Sequence, residues 1–243
     1  MSLATGEHTT KAFDVDLQEL KRMVAEMGGR VEQQLHAAID ALVQNDCDKG
    51  RRVVSADILL DGLQQDIDEK AITTIATRQP MAVDLREVVG ILRIASDLER
   101  IGDLAKNIAK RVSALKNEDM PRQARRGLNH IMSLAIGLLT EALDSFASGD
   151  SEKAASVWNR DEEVDLMYTS LFRELLTYMM EDSGTVSAGV HLVFCAKNIE
   201  RVGDHATNIA ESVYYMVEGR TLSDERPKAD STSLMRFMLT AAH

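Results

Sequence analysis

An acidic pair spaced four residues apart occurs twice in this chain of 243 residues, as Glu99-Arg100-Ile101-Gly102-Asp103 and as Glu200-Arg201-Val202-Gly203-Asp204. On a helix, residues four apart stand one above the other, with Cβ atoms about 5–6 Å apart, so each pair can aim its oxygens at one place. Asp57 and Asp61 form another such pair upstream of the first motif, and Asp161 and Asp165 match them upstream of the second. Carboxylates gathered without Cys or paired His suit hard cations such as magnesium, calcium, manganese or iron, rather than structural zinc. The spacing therefore nominates Glu99, Asp103, Asp57 and Asp61 as one set of metal ligands and Glu200, Asp204, Asp161 and Asp165 as another. Asn107 and Asn208, one turn beyond each motif, extend the two sets.

Charged residues on a solvated helix face are common and usually mean nothing more. Two observations weigh against that reading. Like charges four apart cost a few tenths of a kcal/mol unless something neutralises them. The copies also keep these acids while neighbouring positions drift: Lys106 becomes Thr207, Lys110 becomes Glu211 and Arg111 becomes Ser212. A buried di-iron bundle would need inward Glu-x-x-His pairs, and none of the six histidines has Glu three residues before it. His205, beside Asp204, reads as an ordinary flank residue because the other copy has Leu104. Gly102 and Gly203 read as points of close helix approach, since no Gly-rich strand–helix turn is present.

The elements that must position these acids are long helices. Pro80, Pro121 and Pro227 punctuate the chain, and Asp46 and Asp150 read as helix N-caps. Between the breaks lie six helical stretches, near 14–44, 47–78, 82–116, 122–147, 151–181 and 187–217. The third carries an apolar seam of Ile91, Ile94, Leu98, Ile101, Ala105, Ile108 and Val112. The sixth repeats it with Leu192, Cys195, Ile199, Val202, Ala206, Ile209, Val213 and Met216. Alternating spacings of three and four mark a helix–helix packing stripe. With Leu98 at heptad position a, Glu99, Asp103 and Asn107 fall at b, f and c, on the side away from the core. Glu200, Asp204 and Asn208 fall likewise.

The duplication extends further. Residues 95–112 align with 196–213 at an offset of 101 without a gap, and ten of 18 positions are identical. Upstream the offset is 104, pairing Asp40 with Asp144, Asp46 with Asp150, Lys49 with Lys153 and Val53 with Val157. The reading is an all-α protein of two tandem, antiparallel three-helix bundles. Its segments are a tail at 1–13, a first repeat at 14–118, a second at 119–219 and a tail at 220–243, with a short helix at Leu234–Leu239.

Composition agrees. Aromatics are only 4%, which suits helices packed through Leu, Ile, Val, Met and Ala. The net charge of −11 disfavours nucleic acid, whose binding draws on Lys and Arg. Cys47 and Cys195 fit no metal or disulfide pattern, and with no secretory leader they read as reduced thiols in a cytoplasmic protein. The apolar runs are shorter than the roughly 20 residues of a membrane span, so direct membrane insertion is not expected.

Arg78-Gln79-Pro80, with Asp84-Leu85-Arg86 and then Asp97-Leu98-Glu99-Arg100-Ile101-Gly102-Asp103, resembles the signature of the PhoU phosphate-uptake regulators. Glu200 to Ala210 is similar to that family's second copy, and the resemblance runs from about Asp16 to Gly219. It implies a cytoplasmic protein of two three-helix bundles, commonly a homodimer, with multinuclear metal clusters at the duplicated acidic motifs. It also implies a negative regulator of phosphate uptake that links the ATPase subunit of the phosphate ABC transporter to the sensor histidine kinase of the phosphate regulon. The expectation is a non-enzymatic adaptor. The alternatives are a metal-dependent enzyme or metal store built on the carboxylates, and a purely structural helical scaffold.

Overall fold

The computed structural model describes residues 4–116, 118 and 120–222, with side chains from residue 11 onward. Helix α1 spans Ala4–Gln44, α2 Cys47–Arg78, α3 Val83–Val112, α4 Arg122–Ser148, α5 Ser151–Asn159, α6 Asp161–Glu181 and α7 Val186–Glu218. These are the six stretches of the sequence reading, with two differences in their bounds. The first helix begins at Ala4, so residues 4–13 are helical rather than a tail, and Phe13 is already buried in the core. The third ends at Val112, short of the expected 116, and the chain turns there. The short helix expected at Leu234–Leu239 lies outside the described residues.

The fifth stretch is broken at Arg160, which closes α5 and opens α6 with φ −99° and ψ 5°. Its guanidinium reaches Glu141 on α4 at 2.8 Å and Glu163 in the first turn of α6 at 3.2 Å. Asp161, Glu162 and Glu163 crowd that first turn, where the positive end of the helix dipole favours acids. That run of three acids after an Arg was the available signal for a new helix start.

Asp46 and Asp150 cap α2 and α5, accepting from the backbone N–H of Lys49 at 2.9 Å and of Lys153 at 3.0 Å. The same lysines extend their Nζ groups to Asp40 at 2.7 Å and Asp144 at 2.9 Å. One cap-and-clasp device is thus used at the same joint of both repeats. Gly149 and Gly219 end α4 and α7 at φ 66° and 73°, a conformation in which a Cβ is penalised.

In each repeat the three helical stretches pack on one another: α1, α2 and α3 in the first, α4, α5–α6 and α7 in the second. The repeats lie side by side through α3 against α7 and α1 against α4. Every residue of the two predicted seams is buried, and the buried apolar side chains form one core across both repeats. Among the described residues only α4 is long and apolar enough to cross a membrane. Its apolar face is spent inside the protein, against α7, α1, α5 and α6.

Candidate metal centres

The two acidic sets are both brought together, but differently from the outward-facing rows that heptad positions suggest. In the first repeat Asp57 is buried, Glu99, Asp61 and Asp103 are partly buried, and Asn107 is exposed. In the second, Asp161, Asp165 and Glu200 are buried at 2%, 4% and 5% exposure, with Asp204 partly buried. The correction has a simple cause. In each repeat the helix carrying Asp57 and Asp61, or Asp161 and Asp165, packs on the motif face of α3 or α7, so positions outside the heptad seam are covered from within the same bundle.

Gly102 and Gly203 allow the approach. A Cβ at Gly102 would stand 2.5 Å from Leu60 Cδ1 and 3.8 Å from Asp57 Oδ1. The missing methyl group lets α2 settle against α3 and places the Asp57 carboxylate beside the motif. At Gly203 the neighbour is Val164, at 3.3 Å.

In the first repeat, Lys106 occupies the middle of the acids. Its ammonium donates to Asp57 and to Asp103, the latter at 2.6 Å. These two hydrogen bonds hold the ammonium well above the usual lysine range. Glu99 is pushed up from the ordinary glutamate value, first by burial and then by the negative charge of Asp103. Arg100 stands at 3.6 Å from Glu99 and 3.9 Å from Asp103. Lys106 is therefore the neutralising partner that repelling acids require, a role hidden in the sequence because its counterpart differs.

That counterpart is Thr207. It is fully buried and its hydroxyl reaches Asp161 Oδ1 at 3.0 Å and the Gly203 carbonyl at 3.1 Å. A hydroxyl brings no charge. The cation nearest Glu200 is Lys197, bonded to Oε1 at 2.8 Å, while Oε2 is buried with no hydrogen-bond partner. Burial first, with the charges of Asp204 and Asp165 adding to it, pushes the Glu200 carboxyl up to about 7 against the pull of Lys197. A buried acceptor without a donor is costly. It is the group that a cation would satisfy.

The two asparagines are drawn elsewhere. Asn208 donates to Asp97 Oδ1 at 3.4 Å, and His205 Nδ1 meets the same oxygen at 2.8 Å. His205, read as a flank residue, is thus half of a polar link between α7 and α3. Asn107 lines a surface cavity with Lys110 and His191. Among the described residues, no three carboxylate, imidazole or thiol groups are arranged to hold a metal ion as they stand.

A PhoU domain family model matches residues 24–112 and 128–213, one stretch per repeat. A phosphate-specific transport system accessory protein PhoU homolog from Rhizobium meliloti is 55% identical over 228 residues, 94% of this chain and 96% of its own. The chain belongs to the PhoU family. A homolog of the same name from Caulobacter vibrioides is 46% identical over 93% of this chain and 99% of its own. The crystal structure of PhoU from Pseudomonas aeruginosa superposes with a TM-score of 0.82 at 38% identity, covering 86% of this chain and all of that one. Both PhoU repeats named by the family model carry one acidic motif each, at Glu99–Asp103 and Glu200–Asp204.

Proposed function

We propose that this protein is an accessory regulator of a phosphate-specific transport system. It acts as a non-enzymatic negative regulator of phosphate uptake and of phosphate-regulon signalling. The observation that carries this reading is the match to relatives named phosphate-specific transport system accessory proteins over nearly the whole of both chains. In this role the protein works in the cytoplasm as a homodimer, docking on the ATPase subunit of the phosphate ABC transporter and on a sensor histidine kinase. Two pseudo-symmetric bundles suit such bridging, because each repeat offers a separate helical face.

Metal binding is the second part of the proposal. All the donors are carboxylate oxygens, the set preferred by hard cations, and the buried orphan oxygen of Glu200 fits a charged partner. Asp161, Asp165, Glu200 and Asp204 would hold a divalent or iron-type cation, and the same arrangement is proposed for Asp57, Asp61, Glu99 and Asp103. When bound, the cation supplies charge neutralisation. The chain's own part is to hold these acids on α6 and α7, or α2 and α3, at the fixed spacing that Gly203 and Gly102 permit.

The test is affinity capture of the tagged full chain from cells grown in abundant phosphate. Recovery of both the transporter ATPase and the sensor kinase is expected. Recovery of neither, from cells shown to contain both, would overturn the adaptor role.

A further inference from the structure

The polar link between α3 and α7 has a counterpart that the chain leaves unfilled. The two repeats are related by the 101-residue offset, so the contact of Asp97 on α3 with Asn208 on α7 corresponds to that of Asn198 on α7 with Asn107 on α3. Asn198 and Asn107 do come together, on the wall of one surface cavity of about 480 Å³. At the first place the protein supplies its own carboxylate, Asp97, and satisfies it with His205 and Asn208. At the second, an amide replaces the acid, and the remaining walls include Lys110, Arg111, His191 and Phe194.

No acidic side chain lines this cavity, although the chain carries a net charge of −11. Arg111 lies over the Phe194 ring at 4.3 Å from its centroid, and Phe194 is 50% exposed. Its Nη1 meets His191 Nδ1 at 3.1 Å, while its Nε makes no hydrogen bond. With Nδ1 accepting, His191 carries its proton on Nε2 and keeps a donor for a ligand. Neither Lys110 nor Arg111 forms an ion pair among the described residues. Both stand in the last turn of α3, where a helix dipole favours cations. That accounts for a surface lysine. It does not account for a guanidinium fixed on a phenyl ring at the edge of a cavity, beside an imidazole and two amides.

We infer that the cavity bounded by Asn107, Lys110, Arg111, His191 and Asn198 is a binding site for a phosphate dianion, free or as the head of a small phosphorylated molecule. The donors are of the right kind: a planar guanidinium, a mobile ammonium and amide N–H groups, which together favour a multiply charged oxyanion over a halide. The ligand takes the place that Asp97 holds in the pseudo-symmetric contact. The inference stands apart from the adaptor role, because it concerns the purified chain alone.

The experiment is calorimetric titration of the full-length protein with inorganic phosphate and, separately, with glycerol 3-phosphate. Saturable binding of either supports the site, and whichever binds more tightly identifies the source of the phosphate group. Lys110→Gln is expected to weaken binding about ten-fold, the scale of one charged hydrogen-bond partner. Asn198→Asp is expected to abolish it by supplying an internal carboxylate. Both positions are at the surface of the cavity, and circular dichroism would show both variants folded. Absence of binding by the unaltered protein, or equal binding by both variants, would overturn the proposal.

Discussion

Thr207 stands one repeat away from Lys106, at the matching position of α7, and gives Asp161 a neutral hydroxyl where Lys106 gives Asp57 and Asp103 an ammonium. One substitution between copies separates two acidic clusters of similar composition into different electrostatic states. The first is neutralised from within. In the second, Asp161, Asp165 and Glu200 are buried, Lys197 reaches Glu200 Oε1, and Glu200 Oε2 is an acceptor with no donor.

Metal retention should follow this asymmetry. In protein purified without chelators, Asp161→Asn or Asp204→Asn is expected to reduce bound metal affinity by roughly ten-fold or more, the scale of losing one charged partner. Asp57→Asn or Asp103→Asn is expected to have a smaller effect, because Lys106 competes for the same oxygens. Lys106→Ala should strengthen binding at the first repeat. Elemental analysis after dialysis against graded chelator measures all five proteins. Equal losses in both repeats would contradict the assigned role of Lys106.

The raised Glu200 carboxyl sets a pH dependence for the metal-free protein. Its folded value is about 7 against an ordinary 4.5, so between these values the native state holds a proton that the unfolded chain has released. Stability then falls as pH rises through that window, and the penalty is fully present above about 7. Thermal denaturation of chelated protein from pH 5 to 8 should show this fall in Tm. Glu200→Gln should flatten it and raise Tm at pH 8. A parallel curve for the variant would show that the carboxylate is already satisfied.

The motif glycines should respond unequally to alanine. Gly102→Ala gains up to about 1 kcal/mol of helix propensity but drives a methyl group to 2.5 Å from Leu60 Cδ1. Overpacking of this kind costs about 1–3 kcal/mol, so a net loss of up to about 2 kcal/mol is expected. Gly203→Ala meets Val164 at 3.3 Å, a contact that a small shift relieves, and should lie near neutral. Chemical denaturation of the two variants beside the unaltered protein measures the difference.

Much of the fold was legible because the seams of α3 and α7 follow a helical period, and because Asp46 and Asp150 are caps at matching joints. Burial of the acids was not. A heptad assigns one packing face to a helix, whereas the motif faces of α3 and α7 are also covered, by α2 and α6 of their own repeats. Glu200 therefore sits at a nominally outward position with only 5% exposure. Lys106 was hidden for a related reason: its replacement by Thr207 looks like surface drift until both are seen to touch the same acid in their own copies. The carboxylates that meet were readable from the duplicated spacing. What neutralises them depends on contacts between elements, which spacing does not encode.

The link between α3 and α7 offers the last test. Asp97 Oδ1 receives His205 and Asn208 at the junction of the two repeats, and both Asp97 and His205 side chains are only 18% exposed. Removing the acceptor deprives the partly buried His205 imidazole of this hydrogen bond, at a cost of about 1–3 kcal/mol. Asp97→Ala is therefore expected to destabilise the protein by that amount. Asn198→Ala, at the corresponding place on α7, removes an amide from an open cavity and should cost less than half as much. Because the repeats share one core, the loss should lower a single cooperative transition. Two separate transitions in Asp97→Ala, seen by calorimetry, would mean instead that this contact is what couples the repeats.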